Sequence, residues 1–422
     1  MDKQLLHTPE GVRDIYNKEC ANKIYIENKI HNVLNSYGYR DIQTPSFEYF
    51  EIFNKERGSV ASNNMYKFFD REGYTLVLRP DMTPSIARSA AKYFSDEDMP
   101  IRFCYQGNMF INNNEYQGKL KEFTQLGAEL IGDTTSDADG EMIAMVVDSF
   151  LQAGLKEFQV EVGQVDFYRG LIDEANIEED TERELRSMIE NKNYFAIEEI
   201  LDNLDIADDI KNTFLKFPEL FGGLEMLEMA KKLTNNKRAL RGIERLEKLY
   251  GILENYGYSK YVSFDLGMIG HYDYYTGIIF KGYTYGTGDA IATGGRYDNL
   301  LKQFGKNAPA IGFAIDVDRL MSALSRQKIE VDANYDKTTV LYMPSMQKNA
   351  IDLAGMLRHS GKKTELIRKR SVKNIDDYID YASRHDIDTI YYLEGKGSIL
   401  QINVKEQTHK NIKLEKIKEE LA

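Results

Sequence analysis

The chain has 422 residues, 42% of them hydrophobic and 11% aromatic, which is enough apolar material for two or three packed domains and too much for a disordered polymer. Its 67 acidic and 54 basic residues leave a formal charge of −13, which argues against a broad nucleic-acid surface, because gripping phosphates takes a clustered excess of lysine and arginine. Two cysteines without a CxxC, no apolar leader core and no run of 18 apolar residues predict a cytoplasmic chain with no membrane span.

In chain order, residues 17–36 set Ile26, Ile30, Val33 and Leu34 on one helical face, continued by Tyr37 and stopped by Gly38. The stretch YRDIQTPSFEYF alternates like a strand, but Pro45 removes a ladder donor, so it is expected at a sheet edge or a subunit boundary. Strands are predicted at Tyr74–Leu78, Ile101–Tyr105 and Phe158–Val162, with helices near Thr83–Tyr93 and Asp139–Ala153. Residues 171–256 are rich in Glu, Lys, Leu and Asn, with apolar positions at helical spacing, and read as an inserted helical bundle. Strand character returns at Tyr261–Leu266, Tyr274–Lys281 and Ala290–Thr293. A helix is expected at Asp298–Phe304 and another after Ile311–Ile315.

A linker near Ser325–Lys337 leads to a unit at 336–422 with alternating strands and helices in βαβαβ order. Its 16 basic against 13 acidic residues are a small excess of the kind that solvated helix faces produce. No GxxxxGK[ST] loop or GxSxG motif occurs, and the glycines around Tyr285–Gly288 fail the GxGxxG pattern because Ile291 stands at its last position. The six histidines have no HxxxH spacing, so no metal site and no cofactor are expected.

Five segments in register resemble histidyl-tRNA synthetase and its paralogues: HTPEGVRD at 7–14, LRPDMTPSIAR at 78–88, QGNMF with EFTQLGAELIG within 106–132, YDYYTGIIF at 272–280, and GGRYDNL with GFAIDVDRL within 294–320. The resemblance implies an α+β fold, with a class II synthetase-like antiparallel sheet flanked by helices over 1–170 and 257–325. The bundle at 171–256 would be its insertion, and 336–422 a small α/β domain akin to the anticodon-binding one. It further implies a dimer formed around Pro45 and a pocket for L-histidine. Asp81, Thr83 and Gln125 match the positions that hold the amino group, Glu129 matches the imidazole's carboxylate partner, and Tyr274 and Tyr275 match the ring-lining tyrosines. An ammonium needs carboxylate and amide acceptors, and an imidazole N–H is well served by a buried carboxylate.

The chain departs from the catalytic pattern where phosphate charge is handled. Ile111 stands where the second motif has its arginine, Asn113 replaces an acidic adenine contact, and Gly270 stands where the histidine-specific arginine belongs. Arg319 of the third motif is kept, but Asp316 and Asp318 stand where that motif has a glycine and a glutamate, and Asp316 would bring a negative charge to the floor of an ATP site. Two missing charge-stabilising donors, at about 2.7–4 kcal/mol each, remove roughly four to six powers of ten in rate. The pattern is similar to that of the regulatory subunits of ATP phosphoribosyltransferase, which are non-catalytic. This implies a partner, the short-form catalytic subunit, in a hetero-oligomer with a homodimer core, and feedback control by histidine of the first step of histidine synthesis. Many such subunits have a reduced tail, whereas this chain keeps a full unit there. The alternatives are a divergent histidyl-tRNA synthetase and a tRNA-sensing pseudo-synthetase.

Overall fold

The computed structural model describes residues 6–53, 60–113, 119–270, 274–331, 333, 337–395, 398–413 and 416–417. Tyr272 and Asp273 of YDYYTGIIF, residues 114–118, and 332 and 334–336 of the predicted linker lie outside the described residues. The chain divides into two compact units, one of 1–14 with 23–331 and the other of 15–22 with 332–422.

The larger unit is organised on a nine-stranded sheet. Its spatial order is Arg40–Asp41, Ile101–Phe110, Glu122–Ile131, Ala310–Asp316, Ala292–Arg296, Ile278–Thr284, Phe158–Gln164, Val262–Asp265 and Phe221–Gly222. The pairings are antiparallel except that Arg40–Asp41 runs parallel to Ile101–Phe110, and Phe158–Gln164 parallel to Val262–Asp265. On one face the helices Asn17–Ser36, Ser136–Ala153 and Lys237–Tyr256 bury Ile30, Leu34, Met142, Val146 and Leu246 against Leu126, Ala128 and Phe280. The other face carries a smaller core of Met82, Ile86, Tyr105, Tyr274 and Tyr297 under the helix Thr83–Tyr93. That face holds the site described below.

The predicted strand around Pro45 is broken in two. Arg40–Asp41 is the edge strand of the large sheet, and Phe47–Tyr49 is an edge strand of a separate three-stranded sheet with Thr75–Leu78 and Lys67–Phe69. Between them the Arg79 guanidinium donates to the carbonyls of Thr44 at 2.8 Å, Pro45 at 3.3 Å and Asn108 at 2.9 Å. A buried cation thus supplies donors to backbone carbonyls at the break.

Other elements differ in extent from their sequence patterns. The strand containing TGIIF starts at Ile278, so Tyr274 and Tyr275 sit in the preceding turn. The pattern at Asp298–Phe304 shortens to a single 3-10 turn, Leu301–Phe304. Helices already begin at Val165, and five more follow to Tyr256. A buried carboxylate, Asp139, joins three of the larger unit's elements. It accepts from Arg296 Nη2 and from Arg245 Nε, each at 2.6 Å, linking Ser136–Ala153, Lys237–Tyr256 and Ala292–Arg296.

The smaller unit has a five-stranded sheet in the order Lys363–Arg368, Lys337–Tyr342, Thr389–Gly395, Ser398–Asn403 and Thr408–Ile412. The first three are parallel and carry helices on opposite faces. Gln347–His359 packs with Val340, Tyr342 and Tyr391, and Ile375–Arg384 packs with Leu341, Ile390 and Tyr392. The last two strands are an antiparallel extension beyond the βαβαβ pattern. The exposed run Thr408–Asn411 carries too little hydrophobic alternation to announce itself.

Candidate functional site

Glu122–Ile131 is a strand whose alternate residues Gln125, Gly127 and Glu129 share one face. Cross-strand register sets Gln125 beside Asp316, Gly127 beside Ala314, and Glu129 beside Gly312. Gln125, Gly312, Ala314 and Asp316 of these rows floor a cavity of about 180 Å³, whose wall also includes Asp81, Thr83, Ile111, Tyr274 and Tyr275. Five of the six expected histidine contacts, Asp81, Thr83, Gln125, Tyr274 and Tyr275, therefore meet in one cavity, and Ile111 lines the same cavity beside them.

Glu129, the sixth, is not in the wall but directly behind it. It is 1% exposed and accepts hydrogen bonds from Thr83 Oγ1 at 2.9 Å and from the Tyr297 hydroxyl at 2.5 Å. Thr83, Tyr297 and Gly312 all line the cavity. Gly312 is required there, since a Cβ at that position would come within 1.6 Å of Glu129 Oε2. Gly295 in the adjoining strand makes the same kind of room for the Tyr275 ring, 2.6 Å from where its Cβ would lie. Burial pushes the Glu129 carboxyl up to about 8, against the opposing pull of the Tyr297 and Thr83 hydrogen bonds, and the nearby Asp81 carboxylate adds to the rise. The same burial and the Glu129 charge hold the Tyr297 hydroxyl firmly protonated.

The polar wall is unevenly satisfied. Asp81 Oδ1 accepts from the Thr83 backbone N–H at 3.1 Å at the start of the helix Thr83–Tyr93, where the helix end favours a carboxylate. Gln125 Oε1 is buried with no hydrogen-bond partner among the described residues, and so is Asn113 Oδ1. A buried acceptor in a cavity wall is expensive to leave unmatched, so Gln125 is set to receive an N–H from a ligand. Tyr274 and Tyr275 meet edge to face with centroids 4.9 Å apart, and Tyr274 also meets Tyr297 at 6.0 Å.

The positions that would handle phosphate charge are filled differently. Gly270 lies outside this wall and lines a neighbouring cavity of about 260 Å³, which also includes Tyr275, Lys281, Asp289 and Arg319. Arg319, a wall residue of both cavities, is held by Asp316. Its Nε lies 3.0 Å from Asp316 Oδ2, and Nη1 donates to the Ala290 carbonyl at 3.0 Å. Asp316 also caps the helix Val317–Arg326 by accepting from the Arg319 N–H, and burial lifts its carboxyl to about 6. Asp318 is turned elsewhere, where it accepts from Lys23 Nζ at 2.9 Å and the Thr124 N–H at 2.8 Å. The retained arginine is thus engaged by its own chain.

Tyr297 and Tyr105 were not singled out from sequence. Tyr105 is buried beneath the site, with its hydroxyl 3.4 Å from the Phe313 carbonyl. Tyr297 lies inside the GGRYDNL segment, but its partner Glu129 is 168 residues away and no local pattern joins them. The N-cap role of Asp316 had a local signal, an aspartate just before a helical run, whereas its ion pair with the Arg319 side chain did not.

A family model described as histidyl-tRNA synthetase matches residues 11–320. An ATP phosphoribosyltransferase regulatory subunit from Acetivibrio thermocellus is 41% identical over 361 residues, covering 86% of each chain. Another, from Clostridium novyi, is 37% identical over 426 residues and 100% of both chains, so a regulatory subunit of full matching length carries the C-terminal unit as well. A crystal structure described as an ATP phosphoribosyltransferase regulatory subunit/histidyl-tRNA synthetase from Bacillus halodurans superposes with a TM-score of 0.84 at 34% identity, covering 93% of this chain and 99% of that one. A histidyl-tRNA synthetase from Nostoc sp. gives a TM-score of 0.81 at 20% identity over 98% and 99% of the two chains, a likeness of fold alone.

Proposed function

Because the chain belongs to the ATP phosphoribosyltransferase regulatory subunits of the histidyl-tRNA synthetase family, we propose that it binds free histidine in the Gln125–Glu129 cavity and transmits that occupancy to a separate, cytoplasmic phosphoribosyltransferase chain. The observation that carries this reading is the buried, unmatched Gln125 Oε1 in a wall that also presents Asp81, Thr83 and the two tyrosines. An amino acid's ammonium group supplies the missing donors, shared between Gln125 and Asp81. Its imidazole lies along Tyr274 and Tyr275 toward Glu129. That carboxyl accepts from Thr83 and Tyr297, and a ring N–H brought beside it favours the ionised form, whose two oxygens keep acceptor capacity for that donor.

Aminoacylation is not the reaction of this site. Ile111 and Gly270 provide no cation, and Arg319 is already engaged by Asp316. A subunit without chemistry acts by favouring one conformation of a complex, and histidine alters activity only in so far as it binds the two conformations unequally. The glycosyl transfer itself belongs to the partner. A homodimer through the segment around Pro45 would present two copies of each outward surface, which suits a partner present in even numbers.

The test is to mix the full chain with the short catalytic subunit and follow formation of phosphoribosyl-ATP. Activity is expected to rise on mixing and to fall when histidine is added, by roughly 5–150-fold for a coupling of ordinary size. A catalytic chain fully active alone, with no complex on a sizing column, overturns the proposal.

A further inference from the structure

On the sheet face opposite Glu129, three ligand-bearing side chains converge from three elements. Phe103 is the ladder partner of Glu129, so Cys104, the next residue, points the other way, into the core formed with Ile30 and Leu34. Asp41 is the register partner of Cys104 in the parallel edge pairing. His31 reaches the same point from the helix Asn17–Ser36, and Asn35 follows one turn later. His31 Nε2 lies 2.5 Å and Cys104 Sγ 3.6 Å from the same oxygen, Asp41 Oδ1. All three ligand atoms fall within 4.8 Å of one another.

We propose that His31, Asp41 and Cys104 form a binding site for a zinc-like divalent cation. The donor set of thiolate, imidazole and carboxylate suits zinc and excludes the hard ions magnesium and calcium, which take oxygen. With zinc bonds of about 2.0–2.3 Å, tetrahedral ligands stand roughly 3.4–3.6 Å apart. The Cys104–Asp41 separation already meets that value, and His31 and Asp41 need only part by about 1 Å to admit an ion. Two of the three ligands are fixed by a sheet ladder and the third by a helix, so little order has to be created on binding. While the site is empty, the thiol proton has two acceptors in reach, Asn35 Oδ1 at 3.5 Å and Asp41 Oδ1 at 3.6 Å from the sulfur. Burial and the neighbouring Asp41 push that thiol up to about 12, and coordination replaces the proton by the ion, releasing it to solvent. The bound cluster carries thiolate, carboxylate and a dication, and is therefore neutral beside the core. The Asp41 side chain is 67% exposed, so a water could complete the tetrahedron from solvent. Such an ion would join the first helix to the edge of the large sheet.

The full-length protein, stripped with chelator and kept free of histidine because histidine itself binds metal, is titrated with Co²⁺. One equivalent is expected to bind with a thiolate-to-cobalt charge-transfer absorption that Zn²⁺ abolishes. The absorption is kept in Cys20→Ser and lost in Cys104→Ser. His31→Gln and Asp41→Asn change half-buried and exposed positions and leave the core intact. Each is expected to weaken Zn²⁺ binding by more than the roughly 10–100-fold typical of losing an outer partner. No thiolate absorption in the wild type, its persistence in Cys104→Ser, or wild-type Zn²⁺ affinity in both His31→Gln and Asp41→Asn overturns the site.

Discussion

Glu129 is a carboxyl held by two hydroxyls, with no cation against it among the described residues, and that composition fixes its behaviour. Its folded-state value of about 8 lies above the ordinary 4.5, so between those values the folded chain keeps a proton that the unfolded chain has lost. Stability from this group is therefore greatest at low pH and declines as pH rises through that window. Glu129→Gln keeps the shape without the titration, so its urea midpoint should fall less than that of the wild type between about pH 5 and pH 8. An equal fall in both proteins counts against the assignment. Binding provides a second readout. Glu129→Ala removes the acceptor of the imidazole N–H and is expected to weaken histidine binding by about 1.5–3 kcal/mol in calorimetry. Equal affinity in the two proteins rules out the proposed pose.

At the scale of elements, the break at Pro45 is the informative case. Proline predicted an edge, and both short strands are edges, but the ladder is interrupted and Arg79 takes over the carbonyls. Gly107 is the complement of that arrangement, since a Cβ there would come within 2.3 Å of Arg79 Nη2. Arg79→Met keeps the length and apolar stem but leaves the Thr44, Pro45 and Asn108 carbonyls without this donor. A loss of roughly 2–4 kcal/mol is expected, read as a lowered denaturation midpoint. Retention of wild-type stability would mean that solvent satisfies these carbonyls equally well.

At the scale of the molecule, the insertion and the sheet are joined through Asp139. Arg296 is 3% exposed in side chain, Asp139 is fully buried, and Arg245 brings in the last helix of the insertion. Removing the carboxylate strands a buried guanidinium, so Asp139→Ala is expected to cost about 3–5 kcal/mol and to lower the thermal unfolding temperature of the larger unit. An unchanged unfolding temperature would show that the insertion is held by apolar packing alone.

Local pattern by itself determined much of this protein. Helical spacing marked Asn17–Ser36 and Thr83–Tyr93, and a strand-like run marked Phe158–Val162 of the strand that extends to Gln164. The motif order named the family, and Ile111 and Gly270 stood out because a missing cation is visible one position at a time. Tertiary structure decided what depends on distant pairs. It placed Glu129 behind the cavity wall under Tyr297 and gave Arg296 to Asp139 rather than to the site. It also brought together residues 31, 41 and 104, which no motif spacing connects. The physical reason is that periodicity records which face of an element is buried, whereas a buried polar group's partner is whichever donor the folded chain brings within about 3 Å, at any sequence separation.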